Sequence, residues 1–498
     1  MAYQRPEFKE QYENYIGGKW VAPIDGNYFD NHSPIDKSFI ARIAQSNEKD
    51  VDAAVEAATA AAPAWGKISI VERSAILNKL ADCIEQNVEA LALVETCDIG
   101  KCLRETMGAD IPISAGELRY FAGVIRAEAG SISDIDENLV SQEVHEPLGV
   151  VGQIIPWNFP LLMASWKIAP ALAAGNCIVM KTAEQSPMSM LLLLELMEGI
   201  LPPGVLNVVT GFGAECGKPL ASHPGIKKVA FTGETSTGRL ILQYAADNII
   251  PASLELGGKA PNIFLESVMD QDDEFLDKAI EGFVFFVLSQ GQACTSPTRA
   301  LIHENIYEKF IEKCLVRVAA VKMGDPYSLE TMMGAQSSND QYQKIMSYLD
   351  IGKQEGAELL IGGESYDNEV YPDGYYIQPT VFKGHNKMRI FQEEIFGPVL
   401  CVTTFKDDDE ALEIANDTQY GLSAGVWTRD IHQMQKFTRG IEAGRVFANC
   451  YHTYPAGASF GGYKNSGIGR ETHAMALDHY RNTKNILISY DKNRQGFF

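Results

Sequence analysis

The stretch GVVGQIIPWNFPLLMASWKIAPALAAGNCIVMK, residues 149–181, decides the fold class. Gly149–Ile155 is a short apolar run, the length and composition of a strand buried on both faces. Phe159–Ala174 is rich in Leu, Met, Ala and Trp and stops at Gly175, a residue that ends helices readily. Cys177–Lys181 is a second buried strand. Toward the C-terminus the unit repeats. Ser186-Pro187 reads as an N-cap with proline at the first helical position, opening a helix to about Gly199. Val205–Val209 is a strand, Ala214–Ala221 a helix, Lys228–Phe231 a strand and Ser236–Ala246 a helix. Short apolar strands alternating with helices predict a parallel, doubly wound sheet. Such sheets bind ligands beyond the carboxyl ends of their strands.

Working outward, Asp50–Ala62 and Val71–Leu93 read as helices. After Pro261-Asn262 the alternation resumes with a helix Leu276–Leu288, a strand Ala300–His303 and a helix Ile306–Val321, which predicts a second α/β domain. Asp270–Asp273 lacks the glycine and spacing of a calcium loop and is expected to cap the helix after it. Ser131–Pro147 alternates polar and apolar residues, and Lys484–Tyr490 is another strand; both are read as an extension outside the two domains.

The net charge of −23 argues against nucleic acid and anionic membranes as partners, because their phosphates need a basic face. Apolar residues at 46% and charged residues at 21% match a globular chain rather than a disordered one. Nine cysteines scattered over 498 residues form no disulfide framework. The N-terminal MAYQRPEFKEQYENY has no apolar core of a secretory signal. Neither MSMLLLLELM nor FVFFVL approaches the ~20 residues of a membrane span. A soluble protein of the reducing cytoplasm is expected. There is no P-loop, HExxH or CxxC, and no metal site is expected.

Four segments could carry chemistry. Pro156-Trp157-Asn158-Phe159-Pro160 closes a strand and opens a helix; its Asn is either a turn residue or an amide aimed at a negative oxygen. Phe231–Gly238 (FTGETSTG) is a glycine-containing strand–turn–helix, suited to a phosphate or to a plain turn. In Leu254-Glu255-Leu256-Gly257-Gly258-Lys259 the carboxylate is either solvated at a strand edge or a buried general base. Ser289–Thr295 (SQGQACT) holds a cysteine that is either a small hydrophobe or a nucleophile needing a base. Gly457-Ala458-Ser459-Phe460-Gly461 matches the GxSxG of serine hydrolases, but no buried strand leads in and no helix follows.

In this order the four segments resemble the aldehyde dehydrogenase superfamily over nearly the whole chain, from Tyr15–Trp20 to the C-terminal strand. Met180–Pro187, Glu393–Pro398, Tyr420–Gly425 and Phe460–Lys464 with Gly469-Arg470-Glu471 add to it. Asn449-Cys450-Tyr451-His452 and Gly469–His473 look most like bacterial acetaldehyde (aliphatic aldehyde) dehydrogenases.

The resemblance implies an α/β fold: a Rossmann-like cofactor domain (1–128 and 148–258), an α/β catalytic domain (259–470) and a β-strand oligomerisation extension (129–147 and 471–498). It implies Cys294 as nucleophile, Glu255 as general base and Asn158 as oxyanion donor. NAD would contact Ile155, Trp157, Lys181, Glu184, Gly233, Glu234, Gly238, Leu256, Glu394 and Phe396. Phe159, Trp166, Tyr454 and Phe460 would line the aldehyde tunnel. A carboxylate such as Glu184 at the ribose 2′-hydroxyl favours NAD over NADP. The expected partners are a small aldehyde and further copies of this chain, as a dimer or tetramer. The expected reaction is oxidation of an acetaldehyde-like substrate through a thiohemiacetal and a thioester to the acid. The alternatives are transfer of the thioester to coenzyme A, which Glu255 argues against, and a silent scaffold. Thr182, Ser289 and Ser459 depart from the commoner residues of the family, and Ser289 puts the support of the cysteine loop in question.

Overall fold

The computed structural model describes residues 3–498. Its central feature is an eight-stranded sheet. Five parallel strands form its middle, in the spatial order Ala252–Glu255, Val229–Thr232, Val150–Ile154, Cys177–Lys181, Leu206–Val209. The first strand in sequence, Val150–Ile154, lies at the centre, and the chain winds outward from it first on one side and then on the other. That order is the doubly wound one, and the gap between Val150–Ile154 and Val229–Thr232 is its switch point. All residues of the central strands except Ala252 are buried, as the unbroken apolar runs require. Asn14–Ile16 with Lys19–Val21 and, on the far edge, Gly467–Ile468 extend the sheet in antiparallel fashion.

A second, seven-stranded sheet is built from residues 261–448. It is parallel except for the edge strand Glu358–Ile361. Phe264, Phe283, Phe310 and Trp427 stack behind it, with Phe264 and Trp427 parallel at 6.2 Å between centroids. A three-stranded antiparallel sheet joins Ser131–Asp136, Leu139–Pro147 and Arg481–Ser489. The last two pair along nine residues, from Arg481↔Pro147 to Ser489↔Leu139.

Several local expectations need correction. Val71–Leu93 is not one helix. Ile70–Gln86 ends at Asn87, whose side-chain amide donates to the Cys83 carbonyl, and Val88–Ile99 starts afresh. Ser186 is not the cap of the next helix, which runs Met188–Leu196. Its first N–H instead donates to Asp98 Oδ2 at 2.8 Å, a buried carboxylate ninety positions upstream. Ala214–Ala221 is a π-turn, Gly213–Gly217, followed by the short helix Lys218–Ser222. The helix expected over Leu276–Leu288 ends at Val284 and gives way to a kinked 3-10 segment. Asp273 does cap it, accepting from Leu276 N at 3.1 Å.

Candidate active site

At the switch point a cavity of about 240 Å³ opens between the two large sheets. Asn158 and Trp157 reach it from the turn after Val150–Ile154, Gly233 and Glu234 from the turn after Val229–Thr232, and Glu255 and Leu256 from the end of Ala252–Glu255. Cys294, Glu394 and Phe396 enter from the second sheet's side, and Phe159, Trp166, Tyr454 and Phe460 complete the wall. Four expected residues stand elsewhere. Ile155 is buried at the strand end with its N–H on the Lys181 carbonyl. Lys181 Nζ pairs with Glu184 Oε2 at 2.9 Å at the end of the neighbouring strand. Gly238 lies inside the helix Thr235–Ala246, where a Cβ would come within 2.5 Å of Leu256.

The cysteine arrives on unusual backbone. Ser289, Gln290 and Gly291 are left-handed in succession, with φ of 53°, 55° and 72°. Such a conformation costs a non-glycine residue of order 1 kcal/mol or more, so neighbours must hold it. Gln290 Nε2 donates to the Ala335 carbonyl at 2.8 Å, and Gln292 Oε1 accepts from Ser337 N at 3.1 Å. Asn158 Nδ2 donates to the Gln292 carbonyl at 2.8 Å, which ties the amide to the cysteine loop. Beyond the cysteine, Tyr451 OH donates to the Thr295 carbonyl at 2.9 Å. Tyr454 OH meets Thr295 Oγ1 at 2.5 Å and His452 Nδ1 at 3.0 Å. Gly258 allows this closeness, because a Cβ there would stand 2.5 Å from the Cys294 carbonyl.

Burial dominates the electrostatics. It pushes the Cys294 thiol up to about 12, with the charges of Glu394 and Glu255 adding to the effect. Burial likewise raises the Glu255 carboxyl well above its ordinary range, with Glu471 adding to it and Lys167 opposing. Glu255 Oε2 is buried without a hydrogen-bond partner. Burial also lifts Glu394 to about 7, although its Oε1 accepts from Gly258 N at 2.8 Å. Trp157 and Phe396 meet edge to face at 5.3 Å, and Gln341 Nε2 holds the left-handed Phe396 by its carbonyl at 2.7 Å.

Some contributors were not foreseen. Lys167 is fully buried, and its Nζ reaches Glu471 Oε1 at 2.8 Å and Thr232 Oγ1 at 2.6 Å. A lysine and a glutamate 304 positions apart leave no local pattern to read. Asp110 lines the cavity and pairs with the buried Lys101 at 2.6 Å, and Lys101 Nζ stands 3.4 Å from the Phe159 ring centroid. Gln341, Lys344 and His452 also line it. The loop around Ser459 is braced by Arg445, whose guanidinium donates to the Ala458 and Ser459 carbonyls at 2.8 and 2.9 Å. Among the described residues no group of three or more His, Cys, Asp or Glu side chains could hold a metal ion.

A doubly wound sheet facing a second α/β sheet across a switch-point cleft is the architecture of two-domain α/β enzymes. The family model "Aldehyde dehydrogenase family" matches residues 20–486, and the chain belongs to that family. It is 61% identical over 493 residues to an acetaldehyde dehydrogenase 2 of Cupriavidus necator, covering 99% of this chain and 97% of that one. It is 59% identical to a long-chain-aldehyde dehydrogenase of an Acinetobacter species, with the same coverage. An NAD⁺ complex of an aldehyde dehydrogenase from Bacillus cereus superposes with a TM-score of 0.93 at 40% identity, covering 97% of each chain. Among the described residues no helix is long and apolar enough to cross a membrane.

Proposed function

We propose that this enzyme oxidises a small aliphatic aldehyde to the carboxylic acid, with NAD as hydride acceptor and water as the source of the second oxygen. The observation that carries the reading is the unpartnered, buried Glu255 carboxylate in the same cavity as Cys294.

The residues present fit the dinucleotide. The helix Thr235–Ala246 has no side-chain cap at Glu234, so its first N–H groups are free for an anionic pyrophosphate beside Gly233. The Lys181–Glu184 pair would hold the adenosine ribose hydroxyls, and Glu394 and Phe396 the nicotinamide ribose. NAD, when bound, supplies a cationic nicotinamide that accepts the hydride.

The geometry supports the following part for the chain's own residues. The Cys294 thiol releases its proton to solvent water, its sulfur bonds to the aldehyde carbon, and the π pair of the carbonyl moves onto the oxygen. An amide has two N–H donors, and only one of Asn158's is used on Gln292; the other serves the oxyanion together with the Cys294 backbone N–H. After hydride loss the sulfur carries a thioester. Glu255 takes a proton from water, whose oxygen attacks that carbonyl, and the Cys294 thiolate leaves. A raised Glu255 pKa makes the carboxylate a stronger base once ionised. This hydrolytic role supports water rather than coenzyme A as acceptor.

The wall of Trp166, Tyr454 and Phe460 supports an uncharged aliphatic substrate; Trp166 and Phe460 pack edge to face at 5.0 Å. The relatives named for acetaldehyde and for long-chain aldehydes bracket the chain length. NADH production across aliphatic aldehydes of increasing length, with succinate semialdehyde included, tests this; faster turnover of the semialdehyde would overturn it. Acyl-CoA formed on adding coenzyme A would favour the alternative.

Glu184 is assigned the choice of dinucleotide. Glu184→Ala is expected to raise the NADP-to-NAD ratio of kcat/KM about tenfold, ~1.4 kcal/mol, by removing repulsion of a 2′-phosphate. An unchanged ratio would remove Glu184 from that role. The exposed edge strand Ser131–Asp136, with Ile132 and Ile135 on its surface, supports assembly with further copies of this chain. Nine free cysteines support a reducing, cytoplasmic setting.

A further inference from the structure

Ser289 and Gln290 are the two non-glycine residues of the left-handed run before Cys294; the segment Gly100–Glu105 bonds the first directly and reaches the second through Ala335. Glu105 Oε2 accepts from Ser289 N at 2.9 Å. Gly100 O accepts from Ala335 N at 3.0 Å, and Ala335 O in turn accepts from Gln290 Nε2 at 2.8 Å. The Ser289 hydroxyl is buried with no partner of its own, so the residue is fixed through its backbone: its N–H on Glu105 and its carbonyl, which accepts from Gln292 N at 2.8 Å. Gly334 packs so closely on this segment that a Cβ would stand 2.0 Å from the Gly100 carbonyl.

The carboxylate is itself built in. Glu105 ends the short helix Leu103–Glu105, whose first N–H donates to the Pro326 carbonyl at 2.9 Å. The π-turn Thr106–Asp110 follows directly and delivers Asp110 to the cavity wall. Lys101 pairs with Asp110 and its charge favours ionised Glu105, while burial and Asp110 oppose. The Glu105 carboxyl is half-buried, packed beside the buried Lys101–Asp110 pair with one backbone N–H on its oxygen, and desolvating an acid in this way is costly unless something depends on it.

We infer that Glu105 is a positioning residue: by accepting the Ser289 N–H it holds the left-handed run that delivers Cys294 to the cavity. The inference rests on the reading of Cys294 as nucleophile. Displacing a nucleophile by about 1 Å costs on the order of 10²-fold in rate, whereas a loop that only stabilises the fold leaves kcat of the folded enzyme intact.

The test compares two variants of nearly equal size. Glu105→Gln keeps a side-chain oxygen acceptor; Glu105→Met removes it, introduces no new polar side chain and leaves the Ser289 N–H without its acceptor. Glu105→Met is expected to lower kcat about 10²-fold with aldehyde KM within about threefold, while Glu105→Gln stays within about threefold of wild type in both. Thermal melts establish that the protein assayed is folded. Wild-type kcat in Glu105→Met, or an equal loss in Glu105→Gln, would overturn the inference. Should Glu105→Met melt below the assay temperature, Glu105→Asp carries the test. It draws the carboxylate back by one methylene, so kcat should fall about tenfold, and an unchanged kcat would overturn the inference. Cys294→Ala assayed alongside separates the two failures: if it is inactive while the Glu105 variants are unaffected, the nucleophile stands and the positioning role falls.

Discussion

A folded Cys294→Ala protein should reduce no NAD with any aldehyde, a loss of at least about 10⁴-fold in kcat, because no other thiol lines the cavity and an amine or hydroxyl adduct cannot become the thioester. Residual turnover at a tenth of wild type would end the thioester reading. The same sulfur offers a pH measurement. With its pKa pushed up to about 12 by burial and by Glu394 and Glu255, the thiol of the free enzyme is protonated at neutral pH. Alkylation of Cys294 by iodoacetamide should therefore climb with pH through the whole stable range. A plateau reached below about pH 8 would mean that the thiol lies below the ordinary value of ~8.5 instead of above it. The contrast has a mechanistic use: a thiol that is inert alone and ionises only when substrate and cofactor change its surroundings is protected from adventitious oxidation.

Glu255→Gln should separate the two halves of the reaction. Acylation can proceed, so a burst of NADH equal to the enzyme sites is expected. Hydrolysis then lacks its base, and steady turnover should fall about 10²–10⁴-fold. In the wild type, a base with a raised pKa is protonated at low pH and gains activity as pH rises through that value. The rise should lie above the ordinary carboxylate range and be missing from Glu255→Gln. Steady turnover within threefold of wild type would exclude Glu255 from the hydrolytic step.

The sequence carried the doubly wound half well, because each buried strand there is a short apolar run with a helix behind it. The carboxyl ends of those strands followed, and with them the turns that hold Asn158, Gly233 and Glu255; the switch point between two of the strands did not. The break at Asn87 is local, made by its amide on the Cys83 carbonyl, but other features went unread because their decisive partners are distant. The helix Met188–Leu196 is capped by Asp98, not by the adjacent Ser186. Glu95, Asp98, Lys101 and Asp110 carry no local mark of burial, yet the fold buries them and leaves Glu105 half-buried beside them. Glu95 Oε2 sits 3.3 Å from Leu161 N, at the start of the helix that follows Asn158. The one local hint was Ser289 itself, whose departure from the commoner residue raised the question of loop support; the answering carboxylate lies 184 positions upstream.

The Lys167–Glu471 pair and the Phe460–Glu471 bridge draw the final part of the chain into a cleft begun three hundred residues earlier. During synthesis the ribosome must therefore deliver Glu471 before the pocket has all its walls. A nascent chain stalled short of that point carries the sulfur, the amide and the dinucleotide cradle, but Lys167 is left with an uncompensated charge. Premature products should be unstable and silent rather than half-active, which makes translation of the last segment the moment at which the enzyme comes into being.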